Sequence, residues 1–352
     1  MAKTSFLCRD DYSFRSIIHG EYLDDDDTDS NPYRWAFIVC HFIAFLTFSV
    51  SSITGNMSQV DKLWSILPTI YAWMCVVDSR TLLMAILSTM WSIRLSYNFY
   101  RRGGYTWPPW RGEEDYRWEC LRRGMLGGWW ALLTNQYIWV VFNIFFISLY
   151  QNYLLLYIAS PSLIAWSVAM KEIHCQTGEG EDNGLNSTSL NMLDGIASAL
   201  LLTFLLLETI ADNQQLRFQN DKKVWKASIE NSGGFANAIK MVTSRTSLSE
   251  YKDGFCQSGL FAIIRKPAYA CEQGIWISYY LFSVAAVTST GGGLWNWSSG
   301  GFILLCLLFK GSGWLTEQIS ISKYPAYREY KKKVPLYLPK LSTLWKLIRR
   351  CR

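Results

Sequence analysis

Histidine is scarce in this chain: His19, His41 and His174 are the only three in 352 residues. That scarcity argues against a His-rich metal centre. The nine cysteines include no Cys-x-x-Cys pair, so neither a disulfide framework nor a zinc site is indicated. Charge is sparse as well, at 18% Asp, Glu, Lys and Arg. Residues 1–30 lack the apolar core of a signal peptide; they are polar and include Asp24-Asp25-Asp26-Asp27. What the chain does have is apolar and aromatic mass. Half of it is hydrophobic, with 17 Trp, 20 Tyr and 18 Phe. Mean hydropathy is only slightly positive because polar segments separate the apolar runs. This profile belongs to a polytopic membrane protein with substantial aqueous loops.

Seven stretches read as spans, at about 35–53, 63–77, 80–98, 130–159, 195–211, 272–290 and 294–310. Several are shorter than the roughly 20 residues a crossing needs and must be tilted, extended or partly buried. Pro161 is expected to end the 130–159 run. Basic residues arbitrate the topology, because Lys and Arg concentrate on cytosolic sides. Segments 99–128, 212–271 and 310–352 hold six, nine and eleven of them, whereas 160–193 holds only Lys171 among four acids. Seven spans place the three basic segments on one face. The acidic N-terminus and 160–193 then lie opposite, with the sequons at Asn186 and Asn296. The expected organisation is a polar acidic segment, 1–33, a seven-span all-α membrane domain, 34–340, and a basic tail, 341–352.

Charges within the apolar runs point to chemistry. Glu208 and Asp212 lie one helical turn apart at the cytosolic end of the fifth span, with Gln215 on nearly the same face. A carboxylate in a span needs a partner or a wet cavity; otherwise it is a helix end frayed into the headgroups. Arg94 sits similarly in the third span, near Tyr97. Near the C-terminus, Arg265-Lys266-Pro267-Ala268-Tyr269-Ala270-Cys271-Glu272 adjoins an apolar run. Pro267 suits a first helical turn. Tyr269 and Glu272 share a face, and Arg265 and Lys266 stand at the positive helix end, where anions bind. A lipid anchor would account for the cations but not for the inward carboxylate, so a pocket is the better reading.

Taken in order, these blocks resemble the steroid 5-alpha-reductase family, most closely its broad branch of uncharacterised membrane oxidoreductases. Phe204 to Gln215 resembles the family's E-x-x-A-D-x-Q signature. Gly259-Leu260-Phe261, Arg265, Pro267, Tyr269 and Glu272 resemble G-L-W…S-R-H-P-N-Y-F-G-E. Gly311, Gly313, Glu317, Lys323-Tyr324-Pro325, Tyr327, Tyr330 and Pro339 are similar to its closing block. Asp61, Trp64, Trp91, Arg94, Glu114, Asp115 and Arg117 match weaker upstream positions. Lys266, Ala268 and Cys271 stand where the family has His, Asn and Gly.

The resemblance implies a seven-helix fold with a cofactor pocket open to the cytosol. It also implies NADPH-dependent reduction of a double bond in a sterol, isoprenoid or fatty substrate from the bilayer, in the endoplasmic reticulum, with a cytosolic C-terminus. The implied cofactor-binding residues are Arg94, Glu208, Asp212, Gln215, Arg265, Lys266, Tyr269, Glu272, Tyr324, Tyr327 and Tyr330. Asp61 and Tyr97 are candidates for stabilising a developing enolate oxygen. The expected partners are the bilayer and a lipid-like small molecule, not nucleic acid. Two alternatives stay open: an S-adenosylmethionine-dependent membrane methyltransferase of the same layout, and a non-catalytic membrane protein on this fold.

Overall fold

The computed structural model describes residues 31–177, 190–232 and 248–340, and among these it is all-helical with no strands. The acidic N-terminal segment and the basic tail expected from the sequence lie outside the described residues, as does the sequon at Asn186. The chain divides into two compact units. Of the described residues, the first holds those up to Leu202 with Trp276–Leu307, and the second holds Thr203–Ile275 with those from Leu308 on.

In the first unit, α1 (Pro32–Thr54) starts on Asn31, whose side chain accepts from the Tyr33 amide at 2.9 Å. It stops at Gly55, which takes the left-handed φ of 71° that glycine tolerates. Its buried face is Tyr33, Ala36, Cys40, Ala44, Thr47 and Ser51, at spacings of three and four. Small residues in such a stripe let membrane helices approach closely. The opposite face exposes Ile38, Phe42, Phe45 and Ile53. Large apolar side chains outward and small or polar ones inward is the arrangement expected when the surroundings are lipid.

The helices α2 (Gln59–Leu63), α3 (Leu67–Met74) and α4 (Ser79–Tyr100) follow. Asp78 and Thr81 close a reciprocal capping box at the start of α4. Beyond α5 (Tyr116–Arg122) and a 3₁₀ turn (Gly128–Thr134), one continuous rod comprises α6 (Gln136–Phe142), a π-helix (Asn143–Tyr150) and α7 (Gln151–Thr177). Pro161 lies inside α7 rather than ending it. A proline removes the bond to the carbonyl four residues back, here that of Tyr157. That carbonyl instead accepts from the Ser160 hydroxyl at 2.6 Å, and Gly301 packs its backbone against it. Polar side chains knit α1 to the rod. Asn143 donates to Ser51 at 3.0 Å, and Asn152 to Thr47 at 3.1 Å.

α8 (Met192–Ser232) has 41 residues, about 60 Å by its rise and twice the hydrocarbon thickness. Asn191 caps it, accepting from Leu193 and Asp194. Then come α9 (Leu248–Asp253), a 3₁₀ turn (Gly259–Ala262), α10 (Pro267–Ser289), α11 (Ser299–Lys323) and α12 (Tyr327–Lys333).

Among the described residues, four helical stretches are long and apolar enough to cross a membrane: Pro32–Thr54, Gln136–Ile173, Met192–Ile229 and Ser299–Lys323. The segment expected to span at 63–77 forms α3, with only 8 residues, about 12 Å by helical rise and too short to cross. α4 and α10 have 22 and 23 residues but are less apolar. Asn296, the second sequon, has its carboxamide engaged internally, donating to Ser283 at 3.1 Å and accepting from Ser298.

Candidate functional site

The second unit gathers most of the sequence-predicted cofactor residues: Glu208, Asp212, Gln215, Arg265, Lys266, Tyr269, Glu272, Tyr324, Tyr327 and Tyr330. α8 meets α10 where Phe204 lies on Gly274; a Cβ there would stand 2.7 Å from the ring. Next to this crossing, Glu208 and Asp212 are buried on α8 and Glu272 on α10. Three carboxylates are thus removed from water near the crossing of two close-packed helices, where an apolar crossing does not need them. Further along α8, it is Gln214 that binds the next segment, accepting from the Leu260 amide at 3.0 Å. Gly259, at φ +60°, leaves room for that side chain. Gln214 is also the residue at the signature's spacing from Asp212, whereas Gln215 is half-buried beside it.

The start of α10 differs from expectation. Arg265 is buried, and its guanidinium is engaged within the chain. Nε lies 2.6 Å from Glu317, and Nη1 donates to the carbonyls of Lys331, at 2.9 Å, and Val334. Lys331 completes the group, 2.8 Å from the same carboxylate. The amides of Arg265 and Lys266 donate to Pro335 and Leu336 at 2.9 and 3.2 Å. Arg265 therefore clasps the C-terminal segment 331–336, and its carboxylate partner is Glu317 rather than Asp212 or Glu272. A buried guanidinium demands that pairing. Lys266 remains half-buried with its ammonium 5.7 Å from the centre of the Tyr269 ring. Tyr269 packs on Phe309 at 4.6 Å and reaches Ser312 at 3.4 Å.

The closing block forms an aromatic fan, with Phe255 within 5.0–6.0 Å of Tyr324, Tyr327 and Tyr330. Tyr330 donates to the Phe261 carbonyl at 2.5 Å. Burial pushes the Tyr327 and Tyr330 phenols well above the ordinary tyrosine value, so both stay protonated.

Asp61, Arg94 and Tyr97 belong to the first unit. Asp61 is half-buried, with the Trp118 indole 3.5 Å away, and burial followed by the charge of Asp115 raises its carboxyl above the usual aspartate value. Arg94 is half-buried. Tyr97 is 62% exposed, its ring beneath Arg101 at 5.6 Å, while Asn98 takes the buried position on that turn. Two ionic groups lie outside the predicted site residues, although Glu317 stands in the closing block of the resemblance. One is Glu317. The other is the fully buried pair of Arg80 and Asp194, bidentate at 3.0 Å with both side chains 1% exposed. The available signal was a lone charge at the edge of an apolar run, as at Glu208.

Against known families, residues 47–334 match the one described as "Protein of unknown function (DUF1295)". The chain belongs to that family. An uncharacterized protein of Schizosaccharomyces pombe is 33% identical over 322 residues, covering 89% of this chain and 81% of the yeast protein. No solved structure matches.

Proposed function

We propose that this DUF1295 protein is an integral membrane oxidoreductase using NADPH to reduce a double bond in a lipid-like substrate. The observation that carries the reading is the buried carboxylate trio, Glu208, Asp212 and Glu272, at the α8–α10 crossing beside the start of α10. Such acceptors suit the hydroxyls of a ribose and the amide of a nicotinamide. Lys266 can meet a phosphate as a point charge, and Tyr269 offers a donor one turn further on. When bound, the nicotinamide would supply hydride. The order of the sequence blocks, similar to the steroid 5-alpha-reductase family, supports the same reading, including a cytosol-facing pocket and an endoplasmic reticulum membrane.

One observation favours a non-catalytic reading. Arg265, a residue of the cofactor-like motif, already has a structural use in clasping residues 331–336. Part of the motif is thus explained without a ligand.

The test is thermal stability of the purified chain in detergent with NADPH, S-adenosylmethionine or neither. A ligand at a hundred times its Kd stabilises by about 2.7 kcal/mol. The reading expects a shift with NADPH, lost in Asp212→Ala and enlarged in the double variant Lys266→His, Ala268→Asn. Folded protein that responds to neither ligand, in wild type and double variant alike, would establish the non-catalytic alternative.

A further inference from the structure

Among the described residues, every buried cation but one has either a carboxylate partner or three hydrogen-bond acceptors. Arg80 and Arg265 each face a carboxylate. Lys62 gives its ammonium to three acceptors, Gln59, Pro109 and Arg111, at 2.8–3.1 Å. Lys222, on the polar part of α8, is 8% exposed and has two acceptors: the Gly254 carbonyl at 2.5 Å and the Tyr324 hydroxyl at 3.0 Å. Both are neutral, and among the described residues no carboxylate lies within ion-pair distance. Its ammonium also stands 4.7 Å from the centre of the Tyr324 ring. Such an arrangement needs a glycine at 254, where φ is +85° and a Cβ would meet that ring at 2.5 Å.

Tyr324 is half-buried and accepts from Lys222, and its own proton has no acceptor among the described residues. Two more cations act on the same phenol: Lys323, 5.7 Å from the ring centre, and Lys226, one turn along α8 from Lys222. Like charges one turn apart repel. The acids of neighbouring elements are turned elsewhere. Glu250 and Asp253 of α9 accept from Gln257, and Asp221 accepts from Tyr251. Burial raises the Tyr324 phenol, yet Lys222, Lys323 and Lys226 together bring it below the ordinary tyrosine value. The positive potential outweighs the burial.

We propose that Lys222, Tyr324, Lys226 and Lys323 form a binding site for a phosphate monoester, carried either by a soluble nucleotide or by a phospholipid head. The third N–H of Lys222 and the O–H of Tyr324 would donate to phosphate oxygens, and the other two lysines would supply charge. The proposal leans on the NADPH reading only in that a 2′-phosphate is one bearer of this group.

The test uses the full chain in neutral phosphatidylcholine nanodiscs. Adenosine 2′,5′-bisphosphate and inorganic phosphate are the soluble probes, and nanodiscs containing phosphatidic acid are the lipid arm. A rise in Tm with the nucleotide identifies a soluble bearer, and a rise only with phosphatidic acid identifies a lipid. In either case Tyr324→Phe should weaken binding roughly tenfold and Lys222→Met roughly ten- to a hundredfold. Lys226→Gln, at an exposed position that cannot disturb folding, should weaken it severalfold. Without phosphate, Lys222→Met should be no less stable than wild type, because it removes an uncompensated buried charge. Absence of any phosphate-dependent shift, or equal shifts in all four proteins, overturns the site. If the nucleotide is the bearer, NADPH binding unchanged by Lys222→Met excludes the 2′-phosphate from this site and leaves the reductase reading standing; phosphate binding at the site without any NADPH binding overturns the reductase reading and leaves the site standing.

Discussion

Replacing Glu317 by Gln should release the C-terminal segment from the start of α10. Glu317 is 4% exposed, and its carboxylate is the buried counter-charge of Arg265. Gln keeps the shape and removes the charge, leaving the guanidinium with only carbonyl acceptors. Breaking a buried pair on one side costs about 3–5 kcal/mol. The second partner, Lys331, is 37% exposed and adds little. The amides of Arg265 and Lys266 report the change directly, since they donate to Pro335 and Leu336. At about 1.4 kcal/mol per tenfold, their hydrogen-exchange protection should fall by roughly two to three and a half orders of magnitude. The double variant Arg265→Met, Glu317→Leu should recover most of it, because an apolar pair leaves no stranded charge. Exchange mass spectrometry on detergent-purified protein makes the measurement. Protection of both amides within about threefold of wild type in Glu317→Gln would refute the reasoning.

The same logic applies to Asp194→Asn, which strands Arg80 and should lower unfolding stability by about 3–5 kcal/mol; a loss under about 1 kcal/mol in a denaturation titration would contradict it. Gly301→Ala places a Cβ 2.1 Å from the Tyr157 carbonyl and should cost about 1–3 kcal/mol, while Gly311→Ala, with open space around it, should be neutral or gain up to about 1 kcal/mol. Equal Tm values for the two variants would show that the close approach at Gly301 does not matter. Asp61 has a folded-state pKa raised by burial, so its unfavourable contribution is absent below the ordinary aspartate value and grows as pH rises towards the raised one. Asp61→Asn should therefore be the more stable protein at neutral pH and show a flatter stability profile above the ordinary aspartate range; lower stability than wild type at pH 7 would be the contrary result.

Local signals carried far in this chain, and pairing did not. The apolar runs marked the long helices, and Pro267 marked the start of α10. Glu208, Asp212 and Glu272 were legible as buried acids because charges inside apolar runs require a reason. Pro161 misled because its remedy lies partly outside its own segment, in the Gly301 backbone as well as Ser160. Arg265 was read as facing an anion, since nothing local tells a reader that Glu317 lies 52 residues further along to receive it. Gln214 rather than Gln215 fits the spacing of the signature from Asp212, and the turn at Leu260 shows the contact that goes with that position.

The clasp at Arg265 also sets an order of events during synthesis. Its guanidinium donates to Glu317, 52 residues later, and to Val334, 69 residues later. At 5–20 residues per second, the ribosome needs roughly 3–14 s to make that stretch. Through this interval the start of α10 exists without its counter-charge, and its first amides lack Pro335 and Leu336. The clasp of the second unit cannot close until residues 317–336 have been made. A nascent chain halted before Glu317 would present Arg265 at a helix start without its carboxylate, whereas one that has passed Val334 would not.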